Sequence, residues 1–144
     1  MDYVLDATIA LKWSFKEVFT DEAKLLLPRL LDGTDQAFAP ALLLAEVGHN
    51  LRKRRFQKDL PPADVWDSWA DFRSVPMTIV PVEVLIGNAF ALSNQRMITT
   101  YDALYAQLAI DRAIPVLTTD GGIFDTFAPS GLALHIRDFP FGEK

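Results

Sequence analysis

The sequence predicts an α/β fold, a three-layer α/β/α sandwich around a five-stranded parallel sheet. Short apolar segments of strand length alternate with amphipathic segments of helix length from end to end. That alternation implies parallel pairing through right-handed crossovers, with helices on both faces of the sheet. Apolar residues make up 50% of the 144 and aromatics 11%, enough for the core of one ordinary domain. No repeat, low-complexity stretch or linker interrupts the pattern, so residues 1–144 read as a single domain.

Each element has a local reason. Residues 2–6 form the first strand, whose apolar run Tyr3-Val4-Leu5 is closed by Asp6, and an amphipathic stretch follows over 8–15. Thr20 is expected to cap the next helix, with Asp21 and Glu22 in its first turn and Gly33 beyond its end. Residues 36–40 are the second strand, and a helix follows over 41–57. Pro61-Pro62 opens a helix ending near Ser74, because proline suits a first turn. Residues 77–80 are the third strand, and Pro81 opens a helix reaching Gln95. Residues 101–113 are helical, 114–118 form the fourth strand, 120–127 a short helix or turn, and 132–136 the last strand.

Four acids fall at strand ends or helix starts: Asp6, Glu46, Asp102 and Asp120. In an open parallel sheet, ligands bind beyond the carboxyl ends of the strands, where the strand order reverses. An order 3-2-1-4-5 would set strands 1 and 4 side by side and make Asp6 and Asp120 neighbours. Glu46 follows Leu42 and Leu43 by one helical turn and adjoins Val47, so it borders an apolar face. A carboxylate there loses hydration unless it is paired or metal-bound. Taken singly, Asp102 is explained as a helix-start residue and Asp6 and Asp120 as turn residues. If the fold brings them together, the four cannot all ionise at neutral pH without a positive charge among them. Mg²⁺ or Mn²⁺ suits an all-oxygen, cysteine-free donor set and can activate water for phosphodiester hydrolysis.

Composition excludes other chemistries. Without cysteine there are no disulfides, thiol nucleophiles or zinc–thiolate sites. No apolar stretch approaches the roughly 18 residues of a membrane span. The start Met1-Asp2-Tyr3 lacks the basic-then-apolar pattern of a signal peptide, so a cytoplasmic protein is expected. There is no Gly-x-x-x-x-Gly-Lys phosphate loop. An aspartate-nucleophile phosphatase would carry a second acid two residues after the first, where Thr8 stands. A receiver-type signalling domain would carry an Asp after the third strand and a Lys after the fifth. The chain reads Val80-Pro81 and Ile136-Arg137-Asp138 there.

The net charge of −5 disfavours a nucleic-acid partner, but its distribution is uneven. Arg52, Lys53, Arg54, Arg55 and Lys58 form a basic run that reads either as an anion-binding surface or as a helix end whose cations answer the dipole. Trp66 and Trp69 read as a packed helix face or a dimer contact, and Trp13 is a further aromatic able to stack on a base. Asp64, Asp67 and Asp71 read as a solvated face, and His49 and His135 as structural residues, the alternative being that one of His49 and Asn50, a helical turn after Glu46, faces the cleft.

The acids sit in motifs that resemble those of the PIN-domain ribonuclease family, in particular the VapC-type toxins of type II toxin–antitoxin systems. Val4-Leu5-Asp6-Ala7-Thr8-Ile9-Ala10-Leu11-Lys12-Trp13 is similar to that family's first motif, and Pro40-Ala41-Leu42-Leu43-Leu44-Ala45-Glu46-Val47 to its second. Thr100-Tyr101-Asp102-Ala103-Leu104-Tyr105-Ala106-Gln107-Leu108-Ala109 is similar to the third, and Val116-Leu117-Thr118-Thr119-Asp120 to the fourth. The resemblance spans essentially the whole chain. It implies the 3-2-1-4-5 sheet and a Mg²⁺- or Mn²⁺-dependent endoribonuclease that hydrolyses RNA with a metal-activated water. It also implies a cognate VapB-type antitoxin in the active-site cleft and a homodimer.

On this resemblance Asp6, Asp102 and Asp120 hold metal directly or through water, and Glu46 helps bind metal or positions the nucleophile. Thr8 and Thr118 are candidates to hydrogen-bond the carboxylates. Asp125 reads as a surface carboxylate, and Gly121-Gly122 as a flexible loop beside the cleft. Transfer, ribosomal and messenger RNA all remain open as substrates. The alternative is a catalytically silent PIN-like module that binds RNA or protein, which the presence of all four acids disfavours.

Overall fold

β1 (Asp2–Leu5) runs into the single turn of α1 (Ala7–Ala10) and a 3-10 turn at Leu11–Trp13. α2 (Thr20–Leu31) then returns the chain to β2 (Gln36–Pro40). α3 (Leu42–Gln57) and α4 (Pro62–Ser74) lead to β3 (Thr78–Val80), and α5 (Val82–Gln95) and α6 (Thr100–Arg112) lead to β4 (Val116–Thr118). α7 (Gly121–Phe127) precedes β5 (Ala133–His135). This is a computed structural model, and it describes residues 1–142. The five strands are parallel in the order β3-β2-β1-β4-β5. The expected fold is therefore the observed one, with strand ends displaced by one or two residues.

The order follows from burial. β1 is flanked on both edges and covered on both faces, and its Tyr3, Val4 and Leu5 are fully buried. A continuous apolar run is what a doubly covered parallel strand requires. α6 is similarly enclosed, since every residue from Ala103 to Ala109 is buried, Gln107 included. The register pairs Val4 with Val116 and Leu5 with Leu117. Asp6 and Thr118, the next residue in each strand's direction, thus emerge side by side at the sheet's carboxyl edge. The Asp6 amide still donates to the Leu117 carbonyl at 3.3 Å.

Two local expectations are corrected. Thr20 does not cap α2: that place belongs to Phe19, held in the left-handed region at φ 69°. The Thr20 hydroxyl instead accepts from the Glu17 amide at 2.8 Å and donates to the Phe15 carbonyl at 3.1 Å, closing the loop before the helix. The amphipathic stretch over 8–15 is one α-turn followed by a 3-10 turn, with the Ser14 and Phe15 amides both on the Leu11 carbonyl.

At the opposite end of the sheet, Asp35 is a fully buried carboxylate. Arg29 grips it with two bonds, Nε to Oδ2 at 2.8 Å and Nη2 to Oδ1 at 2.9 Å. The Met1 ammonium adds a bond of 3.1 Å to Oδ1. Burial pushes the Asp35 carboxyl up, but the bonds and charges of Arg29 and the ammonium outweigh it and leave it below its ordinary value. A depressed carboxyl stabilises the fold above its unfolded value, and the gain is lost as pH falls through the folded value. We predict that Arg29→Met lowers unfolding free energy in urea by about 3 kcal/mol at neutral pH. The gap to the parent should narrow below the ordinary Asp value of 3.8. Equal stability at pH 7 would mean that the pair contributes nothing.

Candidate active site

Asp6 anchors the site. Only 5% exposed, it ends β1 and caps α1, with Oδ1 accepting from the Ala7 amide at 2.8 Å. Its Oδ2 accepts from two hydroxyls, Thr8 and Thr118, each at 2.7 Å. Both hydroxyls are also acceptors. Thr8 Oγ1 takes the Thr119 amide at 3.1 Å, and Thr118 Oγ1 takes the Asp120 amide at 2.7 Å. The two threonines therefore fasten the end of β4 to the end of β1 through one carboxylate. Both stand as hydrogen-bond donors to an acid of the set.

The other acids reach the same edge from different elements. Asp120 caps α7, its Oδ1 accepting from the Gly122 amide at 2.8 Å. Asp102 lies in the first turn of α6 and is not that helix's cap. Thr99 is, its hydroxyl accepting from the Asp102 amide at 3.0 Å, so the Asp102 carboxylate is released from capping. Glu46 projects from the first half of α3 and accepts a short hydrogen bond from the Tyr105 hydroxyl, buried on α6.

Tyr105 is a site residue that the sequence did not single out. It stands three positions after Asp102 on one helix, a spacing that places both on the same face. That spacing was the available signal. It fixes no partner, because Glu46 comes from α3.

The electrostatics join the four acids into one system. Burial is the main cause that raises Asp6, with Asp120 adding to it and the hydrogen bonds of Thr118, Thr8 and Ala7 opposing. Burial also raises Glu46, Tyr105's bond opposes it, and Asp6, Asp102 and Asp120 push it up further. Asp102 is raised to about 6 by burial, then by Asp120 and Asp6, against the pull of Thr99. Among the described residues none of the four is salt-bridged to a Lys, Arg or His. Oxygen-only donors that repel one another and have no internal cation match a hard divalent ion. Among the described residues no three His, Cys, Asp or Glu side chains stand close enough together to hold a metal ion between them. That spacing is compatible only with an ion that would take one or two carboxylates directly and keep water on its other faces.

The neighbours separate clearly. Asp125 is exposed on α7, as expected for a surface acid. The expected flexible loop at Gly121-Gly122 is instead the first turn of α7, and a side chain on Gly122 would come within 3.3 Å of Asp120 Oδ1. His135 is structural: buried, bonded to the Arg137 amide at 3.1 Å, and flanked edge-on by Phe19 and Phe124. His49 corrects the sequence reading. It is exposed and lines a groove of about 550 Å³ together with Leu42, Ala45, Glu46, Asn50 and Tyr101. Asp64, Asp67 and Asp71 are exposed, and Trp66 and Trp69 line a separate apolar pocket between α3 and α4.

The basic run is partly committed internally. Arg54 pairs with Glu17, which also holds Lys12 at 3.3 Å, and lies over the Phe15 ring at 4.3 Å. Arg52 and Arg55 both stack on Phe56, at 4.9 and 4.4 Å.

The PIN domain family model matches residues 3–128 of this chain. PAE2754 from Pyrobaculum aerophilum has a similar solved structure, with a TM-score of 0.71 at 17% identity over 95% of this chain and 85% of that one. VapBC2 from Rickettsia felis, solved with a DNA fragment from its promoter, gives 0.63 at 18% identity over 94% and 97%. At such identities the two structures speak for the fold. No curated protein matches.

A raised carboxyl stabilises the fold below its unfolded value, and that gain is lost as pH rises through the folded value. For Asp102 the window runs from 3.8 to about 6. In EDTA the melting temperature should therefore fall between pH 5 and 7, Asp102 accounting for about 1 kcal/mol of the loss. Asp102→Asn should melt several degrees above the parent at pH 7, roughly 2–4 °C for each kcal/mol gained. A pH-independent parent, or a variant that melts lower, would contradict the coupling.

Proposed function

This chain belongs to the PIN-domain family, and from that premise we propose that it is a divalent-metal-dependent endoribonuclease, the toxin of a toxin–antitoxin pair. One observation carries the reading. Four acids from the end of β1, α3, α6 and the end of β4 act on one another at the carboxyl edge of the sheet, with no cation of the described residues salt-bridged to any of them. Mg²⁺ or Mn²⁺, when bound, supplies the positive charge that stabilises a phosphodiester's transition state and the acidity that activates water.

The chain's own groups divide the remaining work. Asp6 accepts two hydroxyls on Oδ2 and one amide on Oδ1, which leaves a lone pair of Oδ1 for the ion or its water. Asp102 and Asp120 bring charge from α6 and from the end of β4, neither paired with a cation among the described residues. Glu46 has one oxygen engaged by Tyr105 and keeps the other to orient or deprotonate the attacking water. Its upward shift suits a general base. Tyr105 is a positioning residue that acts through Glu46.

The partner and assembly follow the same reading. A VapB-type antitoxin would cover this cleft and silence the enzyme; the structural similarity to VapBC2 from Rickettsia felis supports a partner of that kind. A homodimer is part of the same reading, and Val84 and Phe90 on α5 and Met97 just beyond it are exposed apolar side chains that such a contact would cover.

The test is incubation of antitoxin-free protein with total RNA and Mn²⁺, followed by sequencing of new RNA ends. Discrete ends that vanish in EDTA and in Asp6→Asn, Asp102→Asn and Asp120→Asn are expected, each variant losing at least ~100-fold in rate. Tyr105→Phe should keep the fold and lose roughly 10- to 100-fold, the usual effect of removing a group that orients a ligand. Full activity in any aspartate variant would overturn the assignment. Metal-independent RNA binding without cleavage would favour the silent module.

A further inference from the structure

We infer that Tyr101 is a stacking platform for an unpaired base flanking the cleaved phosphodiester, at the mouth of a groove that carries the RNA away from Glu46. This rests on the nuclease reading and names how its substrate is gripped. A single exposed ring needs no explanation on its own. This one is 65% exposed directly before Asp102, in a helix whose next seven residues are buried. No ring or guanidinium of the described residues stacks on it. It lines the groove of about 550 Å³ that also contains Glu46.

The rest of the lining suits a nucleotide. The volume lies within the range of small-molecule sites. Leu42 and Ala45 supply apolar floor, while His49 and Asn50 supply polar edge one helical turn beyond Glu46. Asn50 spends one N–H on the Glu46 carbonyl at 2.9 Å and keeps its second N–H and its Oδ1 for a base edge. Lys53, exposed a further turn along α3, offers charge to the next phosphate. A base with both faces already stacked in a duplex cannot use the Tyr101 ring, so the groove selects single-stranded RNA, where aromatic stacking supplies much of the affinity.

The test measures binding apart from cleavage. In an Asp120→Asn background, which retains a capping side chain and leaves RNA intact, fluorescence anisotropy with Mg²⁺ follows a labelled single strand of about 12 random nucleotides. Tyr101→Ala should raise Kd about tenfold or more, and Tyr101→Trp should restore it. A duplex of the same length should bind weakly and equally to all three. In the otherwise wild-type chain, Tyr101→Ala should raise KM and leave kcat nearly unchanged. Unchanged binding in Tyr101→Ala, no binding by the parent, or no rescue by Trp would overturn the inference. So would a shift in oligomeric state with RNA affinity preserved, which would make the ring a contact between copies. Tyr101-dependent binding in a chain that cuts nothing would refute the nuclease reading and leave the platform standing. Cleavage with Tyr101-independent binding would do the reverse.

Discussion

One buried carboxylate organises the functional edge of this molecule. Asp6 joins β1 to β4 through two threonine hydroxyls that each donate to it and each accept an amide from the turn after β4. An apolar residue of the same shape, such as leucine, would leave those hydroxyls without their acceptor inside a low-dielectric edge, where unpaired polar groups are costly. The position of Asp120 depends on this bracket, because the Thr118 hydroxyl that Asp6 holds is the acceptor of the Asp120 amide. Geometry, not local sequence, thereby sets where a second acid stands.

The same bracket creates the electrostatic tension that defines the site. Asp6, Glu46 and Asp102 are all pushed upward, burial first and neighbouring carboxylates next. Hydrogen bonds from threonine and tyrosine relieve part of this without adding a charge. The chain thus tolerates a destabilised cluster at one end of its sheet, while the Arg29–Asp35 pair at the other end is fully compensated. On the proposed reading, that contrast separates a carboxylate used for folding from carboxylates kept for a cation. Strained, mutually repelling groups persist in folds chiefly where function uses them.

Much of this was legible beforehand, for identifiable reasons. The fold was readable because strand and helix periods alternate cleanly and prolines and glycines mark the boundaries. The four acids were readable because each interrupts an apolar pattern at a strand end or helix start. Tyr105 was not, since its role is defined by Glu46 on another helix, and no local period encodes a contact across 59 residues. Thr20 misled for a related reason: a good capping residue was recruited by the loop before it, and the cap fell to Phe19, in the left-handed region. Gly121-Gly122 read as flexibility, yet the missing side chain at Gly122 serves the close approach of Asp120. His49 read as structural, yet its place one helical turn after Glu46 is the local signal that puts it on the groove.

The central claim is that the acids form a site completed by a divalent cation. Calorimetric titration of the metal-free protein with Mn²⁺ near pH 6, in buffers of different ionisation heats, tests it most directly. Asp102 is about half protonated there, so the account predicts saturable binding with release of a fraction of a proton per ion. Both should be lost in Asp120→Asn together with Asp102→Asn. No binding, or binding of equal strength in the double variant, would contradict the account.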